Sequence, residues 1–258
     1  MEGQRGLGEN GEIEIDQLRQ NPFSFILCYP KLDPSELEKR IFELSSLGVG
    51  KIIFTGKKKI GRLKVLGKGC TGIVVKAYKS RMIVALKIRR VDANRRDMAH
   101  EARMLQLANS SNIGPSLLSF SQNFLLMEFI DGTLISDWMK DIKLYRKNSV
   151  QKVLRNILDQ CYHLDQSGLD HGELTNASSH IIIENSNKVT IVDFESASAT
   201  RRPNNLTGIC HYLFLGKGDY NRKGRRLRSN SLLESLKEYK KNISEENFKI
   251  VLQTLNLK

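Results

Sequence analysis

Three glycines, Gly67, Gly69 and Gly72, stand at G-x-G-x-x-G spacing in the stretch LGKGCTGIVVKAYKSRMIVALK, and Val74 follows two positions later. Glycines lack Cβ, so a chain built this way can bring backbone N–H groups close to phosphate oxygens. The residues after Gly72, IVVKAY, are β-branched and alternate, which predicts a strand and argues against the helix a dinucleotide-binding turn requires. A second strand over Ile83 to Ile88 carries Lys87, a point charge for the same phosphates. The chemistry predicted is a hairpin lying over a polyphosphate; a plain glycine-rich hairpin is the alternative.

Acids and a backbone edge complete the candidate set. Glu101, on the first strong helical pattern after Lys87, can pair with that lysine and hold it in place; an exposed helix glutamate is the alternative. Met127-Glu128-Phe129-Ile130 ends a strand, where backbone groups of Glu128 and Ile130 can meet an adenine edge and Asp131 a ribose. Met127 is equally compatible with core packing. Asp170-His171-Gly172-Glu173-Leu174 follows a long helix, and Ile191-Val192-Asp193-Phe194-Glu195 closes a strand pair. An acid at a strand end beside phosphates suits Mg²⁺, which prefers hard oxygen ligands, so Asp193 is the first metal candidate.

These residues need elements to position them. Residues 1–60 read as an N-terminal extension: a mobile Gly- and Glu-rich start, a short apolar run Phe23 to Cys28 that is a strand or a packing piece, then a helix and a strand. That helix has Asp33 as cap, Pro34 at its first position, a stripe of Leu37, Ile41, Leu44 and Leu47, and Gly48 as its stop. A helix over Asp97 to Asn109 follows the glycine hairpin, then a hairpin of Leu117 to Phe120 and Phe124 to Glu128, with Asp131-Gly132 as a break. Beyond it lie helices over Leu134 to Met139 and Val150 to Ser167, short strands at 181–183 and 188–192, and helices over Leu232 to Tyr239 and Glu245 to Leu255. The fold class expected is α+β in two lobes, a β-rich lobe over 61–130 and a helical lobe over 131–258, hinged near Phe129 to Gly132.

Composition narrows the partners without choosing among them. The chain has 258 residues and a net charge of +13, which attracts nucleic acid, acidic protein or phosphorylated ligands. Six of the basic residues cluster in the segment 217–228, a candidate RNA or ribosome contact or simply a solvated basic loop. None of Cys28, Cys70, Cys161 and Cys210 stands at C-x-x-C spacing, which argues against zinc and redox motifs. No apolar run approaches the roughly 20 residues of a membrane span. The polar N-terminus is not that of a signal peptide, and with free thiols it suggests the cytoplasm.

Taken in order, G-x-G-x-x-G-x-V, the strand lysine, the helix glutamate, M-E-F-I, H-G-E-L and D-F-E resemble the protein-kinase fold over about residues 61–215. The set is similar to the small atypical kinases, the RIO-type enzymes and the kinase subunit of the KEOPS complex, whose loop reads H-G-D-L. The resemblance implies ATP and Mg²⁺ binding, with Mn²⁺ as an alternative ion, and transfer of the γ-phosphoryl group to a protein serine or threonine. By the same resemblance Lys87 binds the α- and β-phosphates, Glu101 orients it, Asp193 holds the metal, and Glu173 stands where the family has its catalytic aspartate.

Several departures from the pattern are visible. Glu173 is one methylene longer than aspartate, with Asp170 as a second choice of acid. The family's metal-binding asparagine, five residues on, is Ser178 here; Asn176 is the nearby substitute, and His180 reads as a packing or strand-edge residue. No A-P-E-like sequence follows Glu195, so a long activation loop and its peptide shelf are missing. Two alternatives stay open: an ATP-binding pseudokinase, and a small-molecule phosphotransferase of the same fold.

Overall fold

The computed structural model describes residues 11–215 and 229–257. The basic segment 217–228 and the first ten residues lie outside it. Backbone contacts divide the chain into two compact units, one running to Arg103 and resuming over Ser116–Phe129, the other formed by Met104–Pro115 and the residues from Ile130 onward.

The first unit is built on strands. In chain order they are β1 (Glu12–Glu14), β2 (Val49–Ile53), β3 (Lys58–Ile60), β4 (Leu63–Val65), β5 (Gly67–Lys68), β6 (Gly72–Lys79), β7 (Met82–Arg89), β8 (Leu117–Phe120) and β9 (Phe124–Glu128). Among the described residues the main sheet runs β1-β2-β6-β7-β9-β8, with β5 pairing β6, and β3-β4 form a separate hairpin. The β6–β7 register sets Val74 opposite Lys87. Alternation then sends Val84, Leu86 and Ile88 to one face, all fully buried, and leaves Lys87 on the other.

The N-terminal residues cover the apolar face. Helices α1 (Phe23–Leu27) and α2 (Pro34–Ser46) contribute Phe23, Ile26, Leu27, Leu37, Ile41 and Leu44 to one core with Ile73, Val75, Leu86, Phe124 and Leu126 of the sheet. The apolar run Phe23 to Cys28 is thus a helix and not a strand, because Phe23, Ile26 and Leu27 fall at helical spacing and are buried together. The α2 start is as the sequence suggests, with Asp33 Oδ1 accepting from the Glu36 amide at 2.9 Å. Strand β2 pairs with both β1 and β6, so the described part of residues 1–60 is woven into the sheet rather than appended to it. A buried arginine fixes α2 in place. Arg40 donates to the carbonyls of Leu27 (2.5 Å) and Arg89 (2.6 Å), to Asn123 Oδ1 (2.9 Å) and to Glu36 Oε1 (2.8 Å). Glu43 accepts from the Asn123 amide and side chain at 2.7 and 2.8 Å, pinning the β8–β9 turn to the same helix.

Helix α3 (Ala99–Asn109) follows β7 in the chain. The second unit contains β10 (Gly132–Leu134), α4 (Ile135–Lys140), α5 (Lys147–Gln166), β11 (Ile181–Glu184), β12 (Val189–Ile191), α6 (Asn205–Cys210), α7 (Ser229–Lys241) and α8 (Glu245–Thr254). Gly132 does not break the chain as expected but opens β10, which pairs with β11. Helix α5 buries Val150, Val153, Leu154, Ile157, Leu158 and Cys161, a stripe at three- and four-residue spacing. No described helix is long and apolar enough to cross a membrane.

Candidate functional site

In the first unit the glycines form a tight hairpin. Gly67 pairs with Val74, and the Gly69 amide donates to the Gly72 carbonyl at 2.9 Å. Space at Gly72 is tight: a Cβ there would lie 3.1 Å from Lys87 Cε and 3.1 Å from the Ile88 carbonyl oxygen. The lysine stem therefore passes directly beneath the glycine. Its Nζ sits 2.8 Å from Glu101 Oε1, with both side chains almost fully buried. Removing two such charges from water costs several kcal/mol per ion, so this pair is better suited to positioning an ammonium than to stabilising the fold.

The hairpin is braced from outside. Arg90 donates to the Gly69 carbonyl at 3.0 Å and is held by Asp92 at 2.7 Å. Both Arg90 and Lys68 lie over the Tyr29 ring, at 5.0 and 4.8 Å from its centroid. Glu128 ends β9 with its amide donating to the Ser116 carbonyl (2.9 Å) and its carboxylate accepting from Ser116 Oγ (2.9 Å). Any contribution of Glu128 to a base edge would thus come from its carbonyl. Ile130 is buried and Asp131 exposed, both in the second unit.

In the second unit a buried network holds the H-G-E-L loop. Asp165 accepts from the Asn205 amide (2.8 Å), the Leu206 amide (3.1 Å) and the Tyr239 hydroxyl (2.9 Å), while burial raises its pKa. Asn205 passes this order on, accepting from the His171 amide at 2.8 Å and donating to the Leu169 carbonyl at 2.7 Å. His171 is fully buried, and desolvation lowers its pKa to about 4, so it is neutral near pH 7. Its Nε2–H donates to the Val192 carbonyl at 3.1 Å. Gly172 has φ +89°, and a Cβ there would lie 2.7 Å from the Ser196 carbonyl oxygen. Asp170 is committed elsewhere: it pairs with Arg201 and accepts from the Asn204 amide at 3.0 Å.

Glu173 is oriented by two partners. Its Oε1 accepts from Ser196 Oγ at 2.5 Å, and its Oε2 lies 2.8 Å from His180 Nε2. The other nitrogen of the same ring, Nδ1, is 3.8 Å from Asp193 Oδ2. Asp193 itself is held in the left-handed region at φ +71°, an uncommon conformation for a non-glycine residue. His180 therefore stands between Glu173 and Asp193, bonded to the first and 3.8 Å from the second. Asn176, the substitute expected from the sequence, is exposed on a 3-10 turn, where it accepts from Ser178 Oγ at 3.5 Å. The turn is interrupted at Asn176 (φ −128°, ψ 62°), and His180 emerges immediately before β11. His180 Nδ1 is buried and lacks a hydrogen-bond partner among the described residues. A carboxylate beside an unpartnered imidazole nitrogen is a donor set that fits a divalent cation.

The family model of the protein kinase domain matches residues 60–214, more than half of the chain. Mitogen-activated protein kinase kinase 2 of Arabidopsis thaliana is 28% identical over 141 residues, covering 51% of this chain and 38% of that protein. Mitogen-activated protein kinase kinase 1 of the same organism is 27% identical over 142 residues, covering 51% of this chain and 39% of that protein. The chain thus spans well under half the length of either relative.

Proposed function

The chain belongs to the protein kinase domain family, and from that premise we propose that it is an ATP-dependent protein kinase of the small atypical kind, acting on serine or threonine. The observation that carries the reading is the buried Lys87–Glu101 pair beneath the Gly72 hairpin. In this reading the hairpin amides and Lys87 bind the ATP phosphates, and Glu101 keeps the ammonium in place. Glu173 accepts the proton of the substrate hydroxyl as that oxygen bonds to the γ-phosphorus and the bond to the β-phosphate oxygen breaks, releasing ADP. Asp193 and His180 would hold the divalent cation, which when bound neutralises charge on the phosphates. The short connection from Ser196 to α6, braced by the Asp170–Arg201 pair, supports the atypical character. A cytoplasmic setting and a polyanion contact through residues 217–228 belong to the same proposal.

A second reading has its own support. Both carboxylate oxygens of Glu173 already have partners, which suits an ATP-binding protein that performs no transfer. Incubation with γ-labelled ATP, Mg²⁺ or Mn²⁺ and protein acceptors separates the two. Label on protein serine or threonine, lost in Lys87→Ala, supports the kinase; tight ATP binding without transfer supports the second reading, and label on small metabolites alone overturns the choice of substrate.

A further inference from the structure

We infer that His180 Nδ1 is a direct ligand of the divalent cation together with Asp193, and that this pair favours first-row transition-metal ions such as Mn²⁺ over Mg²⁺. The inference rests on the kinase reading. His180 Nε2 faces Glu173 Oε2 at 2.8 Å, so a neutral ring donates from Nε2 and leaves the Nδ1 lone pair for a ligand. That second nitrogen is buried and has no hydrogen-bond partner among the described residues. The residue is fixed from two sides: its ring packs edge-on against His171, with centroids 5.4 Å apart, and the Val192 amide donates to its carbonyl at 2.9 Å.

A shared ion would draw the two groups together. At 3.8 Å, Nδ1 and Asp193 Oδ2 are too far apart for a hydrogen bond. An octahedral ion with bonds of about 2.1 Å sets neighbouring ligands about 3 Å apart, so joint ligation needs a closure of about 0.8 Å. Mg²⁺ prefers oxygen ligands throughout, whereas imidazole is a good ligand for transition metals. Replacing an amide oxygen by an imidazole nitrogen at this place therefore shifts ion choice.

The test is electron spin-echo spectroscopy of Mn²⁺ bound to the full chain with an ATP analogue bearing a methylene β–γ bridge. Directly bound imidazole gives a ¹⁴N modulation that changes to ¹⁵N on selective histidine labelling and disappears in His180→Asn. The same variant should lose at least about tenfold in its Mn²⁺-over-Mg²⁺ binding ratio. Bound Mn²⁺–nucleotide without histidine coupling overturns the inference and leaves the kinase reading standing, as does coupling that persists in His180→Asn. Absence of any Mn²⁺–nucleotide binding by the wild type overturns both. Should the variant fail to fold, the labelled wild type decides alone.

Discussion

Acidification should destabilise the second unit through His171. Burial lowers the folded-state pKa of this residue from 6.5 to about 4. The unfolded chain therefore takes up the proton first as pH falls. The stability contributed is fully present above pH 6.5, falls as pH drops through that value, and is lost by about pH 4. At about 1.36 kcal/mol per pH unit the full difference is about 3 kcal/mol, of which about 2 kcal/mol is lost between about pH 8 and pH 5. Urea unfolding of the wild type and of His171→Gln across that range isolates the effect, because glutamine can still donate to the Val192 carbonyl without titrating. The other titrations, including that of Asp165 with its opposite sign, cancel in the difference between the two proteins. A difference that stays flat across the range, or a His171 pKa near the ordinary histidine value by NMR, would refute the reasoning.

Other consequences are equally open to measurement. Gly72→Ala places a methyl group 3.1 Å from Lys87 Cε and should weaken ATP binding about tenfold, read by nucleotide titration; unchanged affinity means that the lysine stem has room to move. Arg40→Met leaves the Leu27 and Arg89 carbonyls without their buried donor and should cost about 3 kcal/mol in urea unfolding. Replacing Arg222, Lys223, Arg225, Arg226 and Arg228 with glutamine should weaken RNA binding and flatten its salt dependence. An equal affinity and salt slope would remove the polyanion proposal.

What was legible in the sequence was local. The glycine spacing, the strand that follows it and the capped α2 each depend on residues a few positions apart, so their types and period reveal them. Lys87 and Glu101 were readable because each sits at a fixed place on its own element. Arg40 was not, since its burial depends on partners at Leu27, Arg89 and Asn123 that only the folded chain assembles. The Asp165–Asn205–His171 network escaped for the same reason. The place of His180 beside Asp193 was not legible either, because counting from Glu173 leads to Ser178, while the interrupted turn at Asn176 brings the residue before β11 next to Asp193.

The central claim is that Glu173 accepts the proton in a phosphoryl transfer, and Glu173→Gln tests it most directly. The glutamine keeps the side-chain length and the bond from Ser196 while removing the charge and the proton acceptor. Single-turnover transfer from γ-labelled ATP, measured beside ATP affinity, should show affinity within about twofold of wild type and a loss of transfer of about a hundredfold or more. Equal transfer rates in wild type and variant would contradict the account and leave Glu173 a structural residue.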